Sequence, residues 1–130
     1  MGFVHRRMRV MTEKAGSIEE NLKKALSEML VLKLFSDEER YIGELPSLLE
    51  KQSGGRLSIT SLYAAVYRLL GNGSIESVGQ RISSDGRRRQ FYGITEEGST
   101  RFTAQKQVYE EFIKGVNSVL RKGSRKKAEV

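Results

Sequence analysis

The chain has no cysteine and no tryptophan, and it has only one histidine and one proline among its 130 residues. The lack of cysteine excludes a disulfide framework and a thiolate zinc site, and a lone histidine is too little for a Cys–His catalytic centre. The acidic cluster Asp37-Glu38-Glu39 lies in a predicted turn and has no partner base. We therefore expect no cofactor, no metal site and no enzymatic activity.

Long apolar runs are missing as well. No segment approaches the ~20 apolar residues that a membrane-spanning helix needs, and residues 1–10 lack the apolar part of a secretion signal. These absences predict a cytoplasmic protein with no membrane partner.

Basic residues are in clear excess. The formal net charge is +7 and the isoelectric point is about 9.8, which favours polyanions such as nucleic acids or an anionic membrane surface. A chain of this length is expected to form one domain with a modest core.

The segment from Ser58 to Leu70 has the pattern of a short amphipathic helix. Ser58 is a predicted N-cap, and the apolar residues after it recur at helical spacing, so one face packs into a core. The polar face suits the major groove of DNA, where hydroxyl and guanidinium groups can contact bases and phosphates. The DNA-binding candidates of this helix are Ser58, Thr60, Ser61, Tyr63, Tyr67 and Arg68. For Tyr63, a half-buried core position is an equally open interpretation.

A β-hairpin is predicted next, with strands near Ile75 to Ile82 and Arg88 to Ile94. Asp85-Gly86 between them predicts a two-residue type I′ turn. Four arginines lie on this hairpin and are candidates for contacts with phosphates or the minor groove: Arg81, Arg87, Arg88 and Arg89. Because side chains alternate along a strand, the three consecutive arginines cannot all face DNA, and a solvated charge run remains the alternative.

Two further helices precede these elements. A capping box at Ser17 and Glu20 predicts the start of a broadly apolar helix that runs to Phe35. A charged turn at Asp37 to Arg40 follows, and then a helix from Gly43 to about Gln52, with Pro46 in its first turn. The predicted organisation is a flexible basic arm (1–16), a winged-helix domain (17–95), a C-terminal dimerisation helix (96–121) and a basic disordered tail (122–130).

Several motifs carry a family resemblance between about Leu30 and Phe102. They are Gly54-Gly55-Arg56-Leu57-Ser58, Leu62-Tyr63, Tyr67-Arg68-Leu69, and the run from Arg87 through Thr95-Glu96-Glu97-Gly98. Over this stretch the chain resembles the PadR family of winged-helix transcriptional regulators. The resemblance implies a mainly α (α+β) fold: a winged helix-turn-helix with a two-stranded β wing and a long C-terminal dimerisation helix.

The final helix has an apolar seam. Thr95 is its predicted cap, and apolar residues then recur at alternating steps of three and four, as in a coiled coil. The seam suits either packing on the Ser17-to-Phe35 helix within one chain or a homodimer interface, which the resemblance favours. The interface candidates are Leu22, Leu26, Met29, Phe102, Tyr109, Phe112, Ile113, Val116 and Val119.

These features predict a sequence-specific regulator of transcription that binds double-stranded DNA as a homodimer. We expect a repressor that recognises an inverted repeat. The resemblance adds a small aromatic or drug-like effector as a candidate partner that releases it. The alternative is a winged-helix module for protein–protein or RNA interaction that binds no specific DNA sequence.

Overall fold

The computed structural model describes the backbone of residues 2–129 and the side chains of residues 16–122. The elements, in chain order, are helix α1 (Gly2–Asp37), strand β1 (Arg40–Tyr41), a 3₁₀ turn (Ile42–Glu44), helices α2 (Leu45–Gln52) and α3 (Leu62–Gly71), strands β2 (Ile75–Ile82) and β3 (Arg88–Ile94), and helix α4 (Glu96–Glu129). This order of helices followed by a hairpin and a last helix confirms the predicted winged-helix fold.

The core lies where α1, α2 and α3 meet. Leu62, Val66 and Leu69 form the buried face of α3, as their spacing predicts, and Ala65 completes that face. The C-terminal half of α1 contributes Leu32 and other residues that are fully buried, since helices pack on it from two sides. The core therefore holds α3 by one face only and leaves its opposite face open.

Both long helices exceed their predicted bounds. The backbone of α1 begins at Gly2, so Ser17 lies inside the helix and the predicted arm (1–16) is helical there. The chain's single proline, Pro46, lies elsewhere, so no proline interrupts a helix in the arm. Helix α4 continues to Glu129 instead of ending near Arg121. The side chains of the predicted arm up to residue 15 and of the tail from residue 123 lie outside the described ones, and no described helix is apolar enough over its length to cross a bilayer.

The start of α3 also differs from the prediction. Its N-cap is Ser61, not Ser58, and Ser58 lies in the irregular loop that precedes the helix. Ile59, which is only 4% exposed, belongs to the core. Because the buried Ile59 side chain anchors the loop to the core after Ser58, the first helical turn forms three residues later than the local sequence indicates.

The sheet has three strands, in the order β1-β3-β2, where the sequence predicts two. Arg40 and Tyr41 pair with Tyr92 and Phe91 of β3. Arg40, predicted to lie in a turn, is 7% exposed, and its Nε donates a hydrogen bond to the carbonyl of Leu34 at 2.8 Å. This contact satisfies a free carbonyl in the last turns of α1, which is why a charged residue is buried here.

The hairpin turn is of a different type from the one predicted. Type I′ requires a positive φ at Asp85, but only Gly86 has one, at 80°. The Gly86 amide donates to the Ser83 carbonyl at 2.9 Å, and the Ser83 amide donates to the Arg87 carbonyl at 2.8 Å. The connection is thus a three-residue loop that ends in a left-handed glycine.

Candidate nucleic-acid interface

The outward face of α3 is centred on Tyr67. This side chain is 68% exposed, and exposed Ala64 lies one turn before it, opposite the buried residues Leu62 and Leu69. Thr60 is exposed in the turn that leads into the helix. A phenol, a methyl and a hydroxyl group therefore share the surface that points away from the core.

The other predicted residues of α3 lie on its flanks. Arg68 faces α1, where its Nε is 3.8 Å from a carboxylate oxygen of Glu28. Ser61 is half-buried on the same side, and Tyr63 is 44% exposed on the opposite flank. Ser58 is exposed before the helix. These residues thus lie around the outward face of α3, and Tyr67 lies at its centre.

The turn between α2 and α3 fixes how the two helices meet. Gly54 and Gly55 both have positive φ, and the Gly55 amide donates to the Glu50 carbonyl at 2.8 Å while the Gly54 amide donates to the Lys51 carbonyl at 3.2 Å. This pair of bonds is a Schellman motif, which ends α2 and turns the chain toward α3. Arg56 follows the glycines and is exposed. Arg56 was not among the predicted DNA-binding residues, although a basic residue directly after a helix-terminating Gly-Gly pair could have indicated it.

The wing divides its arginines between two environments. Arg87 and Arg88 are exposed at the tip and form no ion pair within the described part of the chain. Arg89 instead donates to Asp85 at 2.7 Å, and its guanidinium lies over the Tyr41 ring at 5.0 Å. Arg81 pairs with Glu39, and its guanidinium lies over the Phe91 ring at 5.1 Å. The sequence predicts that the three consecutive arginines cannot all face the same way. In agreement with this, Arg89 packs on the sheet while Arg87 and Arg88 are exposed.

Asp85 organises the wing tip. Its carboxylate accepts hydrogen bonds from the Ser83 hydroxyl, from the Arg89 guanidinium and from the Arg87 amide, the last at 3.1 Å. These donors stabilise the ionised carboxylate and hold the pKa of Asp85 well below its usual range, and Asp85 in turn raises the pKa of Arg89. Three hydrogen bonds to one side chain thus connect Ser83, Arg87 and Arg89 at the wing tip.

The start of α4 is joined to the end of α3. Thr95 is the N-cap, as predicted: its Oγ1 accepts from the Gly98 amide at 3.0 Å and donates to the Gly73 carbonyl at 2.6 Å. The Thr95 amide also donates to the carbonyl of Ser74 at 3.0 Å. The loop after α3, the end of the wing and the first turn of α4 therefore form one connected unit.

Helices α1 and α4 pack together, and an apolar groove of about 480 Å³ that is open to solvent lies between them. Leu26, Met29, Tyr109 and Ile113 are half-buried along it. Phe102 is also half-buried, but it packs against the core and does not line the groove. Other predicted interface residues remain largely exposed: Leu22 at 52%, Phe112 at 70%, Val116 at 39% and Val119 at 73%. Packing within one chain thus covers part of the seam and leaves a broad apolar surface.

Among the side chains of residues 16–122, no cluster of three or more His, Asp or Glu residues is placed to hold a metal ion.

Known proteins share both the sequence and this arrangement. Residues 31–104 match the transcriptional regulator PadR-like family. A PadR-like transcriptional regulator from Bacillus cereus is 30% identical, with a TM-score of 0.66 over 77% of this chain and 96% of its own. A transcriptional regulator from Clostridium thermocellum is 25% identical, with a TM-score of 0.65 over 75% of this chain and 93% of its own.

A Streptococcus transcriptional regulator is 26% identical, with a TM-score of 0.65 over 75% of this chain and 95% of its own. No curated protein matches the chain. Because the family match covers more than half of the chain and includes α2, α3 and the wing, the protein belongs to the PadR-like family of DNA-binding transcriptional regulators.

Proposed function

We propose that the protein is a repressor that binds an inverted repeat in double-stranded DNA as a homodimer. The observation that carries this proposal is the outward face of α3, where Tyr67, Ala64 and Thr60 are exposed opposite the core. An α-helix fits the major groove, a hydroxyl can hydrogen-bond base edges, and methyl and aromatic groups can contact the thymine methyl. This face supplies the chemistry for reading sequence.

The basic residues around α3 suit the DNA backbone. Arg87 and Arg88 on the wing tip are exposed cations, as is Arg56 in the turn before α3. We assign them to phosphates or to the adjacent minor groove, where they fix the register of α3. Arg68 and Ser61 lie on the flank of α3 and can reach either the groove edge or a neighbouring phosphate.

We infer a homodimer from the apolar surface of α1 and α4. Large exposed apolar patches are uncommon on monomeric proteins, and here Phe112, Val119 and Leu22 extend along both helices. A two-fold axis through this surface would give the dimer two copies of α3 with which to bind one duplex. Half-sites of the inverted repeat would then lie about 10 base pairs apart, or a multiple of that distance.

The groove between α1 and α4 suits a small aromatic or drug-like effector. Its volume of about 480 Å³ falls within the range of small-molecule sites, roughly 300–1,000 Å³. Aromatic and sulfur-containing side chains, Tyr109, Phe112 and Met29, line it. We propose that such a ligand changes the packing of α1 on α4 and releases the protein from DNA, in the cytoplasm where the DNA is accessible.

The test is selection of binding sites from random duplexes, followed by affinity measurements on the selected site and on a scrambled one. We expect a two-fold repeat. Thr60→Ala, Tyr67→Ala and Arg68→Ala should identify at least one residue whose loss costs about 1–3 kcal/mol on the selected site and much less on the scrambled site. Thr103→Ala, on an exposed position of α4, is the control and should bind both duplexes as the wild type does.

Two results would contradict the proposal. Selection could return no two-fold repeat, or all three variants could lose affinity equally on both duplexes. Either result would favour the alternative of a winged-helix module that binds protein, RNA or DNA of any sequence.

A further inference from the structure

Six side chains form a continuous chain of contacts on one face of the sheet. Tyr92 and Ile94 of β3 pack against the core, so the alternate residues Phe91 and Arg89 point to the other face. We call the six residues on and beside that face the outer-face cluster. In order of contact they are Asp85, Arg89, Tyr41, Phe91, Arg81 and Glu39.

Each contact in the cluster is of a defined kind. Asp85 binds the Arg89 guanidinium at 2.7 Å, and that guanidinium lies 5.0 Å from the centre of the Tyr41 ring. The Tyr41 and Phe91 rings meet edge to face, with their centres 5.7 Å apart at an angle of 63°. Arg81 lies over Phe91 at 5.1 Å from the ring centre. An ion pair, two cation–π contacts and an aromatic pair thus follow one another.

The far end of the cluster is anchored outside the hairpin. Arg81 pairs with Glu39, which lies just before β1. Tyr41 is itself in β1, the short strand that continues into the turn before α2. The cluster therefore connects the wing tip at Asp85 with the chain segment that leads to the helix-turn-helix.

The arginines of the cluster differ from those at the tip. Arg81 and Arg89 are opposite each other in the β2–β3 register, so their side chains share a face. Each has a carboxylate and an aromatic ring as partners, and the Arg89 side chain is only 34% exposed. Arg87 and Arg88 are exposed and, among the described residues, have no carboxylate partner. A phosphate would have to break two contacts to engage Arg89 and none to engage Arg88.

We propose that Arg81 and Arg89 are positioning residues that fix the wing relative to the helix-turn-helix, while Arg87 and Arg88 contact the DNA. This assignment rests on the proposed DNA-binding function and divides its wing arginines by role. A planar guanidinium suits the cluster better than an ammonium group because it stacks on a ring and binds a carboxylate with the same group, whereas lysine provides a point charge without a stacking plane. A phosphate contact at the tip requires only positive charge.

Substitution by lysine separates the two roles. Arg89→Lys and Arg81→Lys should weaken binding to the selected duplex roughly two- to fivefold, the loss expected for a cation–π contact, with an unchanged slope of log affinity against log salt. The matched variants Arg87→Lys and Arg88→Lys should bind as the wild type does. Arg87→Gln and Arg88→Gln should each reduce the slope by about 0.9, since each removes one phosphate contact.

Hydrogen exchange in the free protein tests the cluster without DNA. The Gly86 and Ser83 amides close the wing tip, and their exchange should be roughly two- to fivefold faster in Arg89→Lys and unchanged in Arg88→Lys. If no duplex is bound at all, the proposed function fails, and exchange still decides whether the cluster holds the wing.

Two results would overturn the proposal. One is wild-type affinity together with wild-type exchange in Arg89→Lys and Arg81→Lys. The other is a reduction of the salt slope by about 0.9 in Arg89→Gln that Arg89→Lys restores, since this is the behaviour of a direct phosphate contact.

Discussion

Gly98 is the residue on which the approach of α4 to the rest of the domain depends. A Cβ atom at this position would overlap the carbonyl oxygen of Ser74 and lie 2.8 Å from Cγ1 of Ile94. The carbonyl cannot retreat, because it accepts the hydrogen bond of the Thr95 amide. The Thr-Glu-Glu-Gly motif thus has a physical basis: threonine caps the helix, and glycine permits the close approach.

Replacement of Gly98 tests this contact. Gly98→Ala should lower the free energy of unfolding by about 1–3 kcal/mol, the usual cost of overpacking. Gly71→Ala, at the last residue of helix α3, is the control because it lies away from the apolar surface of α1 and α4. Its Cβ would meet nothing within 4 Å, so the change should raise stability by up to about 1 kcal/mol through helix propensity. Urea unfolding at one protein concentration measures both, and equal effects would show that the approach at Gly98 is not tight.

At the scale of elements, the C-terminal end of α1 depends on Arg40 of β1. Arg40 donates to the Leu34 carbonyl and lies near two carboxylates, at 3.3 Å from Glu38 and 3.9 Å from Glu44. Burial raises the pKa of Glu44, and the positive charge of Arg40 partly opposes this. A carboxyl whose pKa is raised on folding stabilises the folded state at low pH and loses this contribution as pH rises above its ordinary value of 4.5.

Arg40→Met should therefore destabilise the protein more at pH 7 than at pH 4. At either pH the Leu34 carbonyl loses its partner, which costs about 1–3 kcal/mol. At pH 7 the ionised Glu44 also loses its nearby cation. Adding Glu44→Gln to Arg40→Met should reduce the difference between the two pH values, as measured by urea unfolding, while the Glu38 carboxylate at 3.3 Å from Arg40 stays in place. If Arg40→Met lowered the free energy of unfolding equally at pH 4 and pH 7, this result would contradict the interaction between Arg40 and the ionised Glu44.

The sequence was sufficient where local pattern determines structure. Helical spacing identified Leu62, Val66 and Leu69 as the buried face of α3, and the predicted strands have the bounds that the structure shows for β2 and β3. The sequence was insufficient where a contact with a residue far away in the chain, or burial in the core, determines the local structure. Ser58 has the side chain of a cap, but burial of Ile59 moves the helix start to Ser61.

The candidate site shows the same division. The exposed side of α3 follows from its core side, so Tyr67 could be predicted from the sequence. The environment of Arg89 could not, because its aromatic partner Tyr41 is brought to it by β1, a two-residue strand with no pattern of its own. Which residues contact DNA or a second copy of the chain stays a prediction.

At the scale of the whole molecule, Phe112 tests the proposed dimer. Because its side chain is 70% exposed in the single chain, Phe112→Asp should leave the domain folded. In a closed apolar interface, however, a carboxylate has no counterion. We expect the wild type to have the mass of a dimer by light scattering at tens of micromolar and Phe112→Asp to have the mass of a monomer with an unchanged circular dichroism spectrum.

The control is Gln107→Asp, which adds the same charge to an exposed polar position of α4. It should retain the dimer mass. A monomeric wild type, or a Phe112→Asp variant that retains the dimer mass, would contradict the assignment of this surface.

The length of α4 has a mechanical consequence. Its 34 residues extend over about 50 Å at 1.5 Å per residue, and Thr95 and Gly98 fasten its first turn to the loop after α3. In a dimer held along this helix, a change of about 5° in the crossing angle at the far end would move the first turn by ~4 Å. One base-pair step of DNA is about 3.4 Å. In such a dimer, α4 would transmit this change over its whole length, and a small adjustment far from the DNA would shift each α3 by about one base pair.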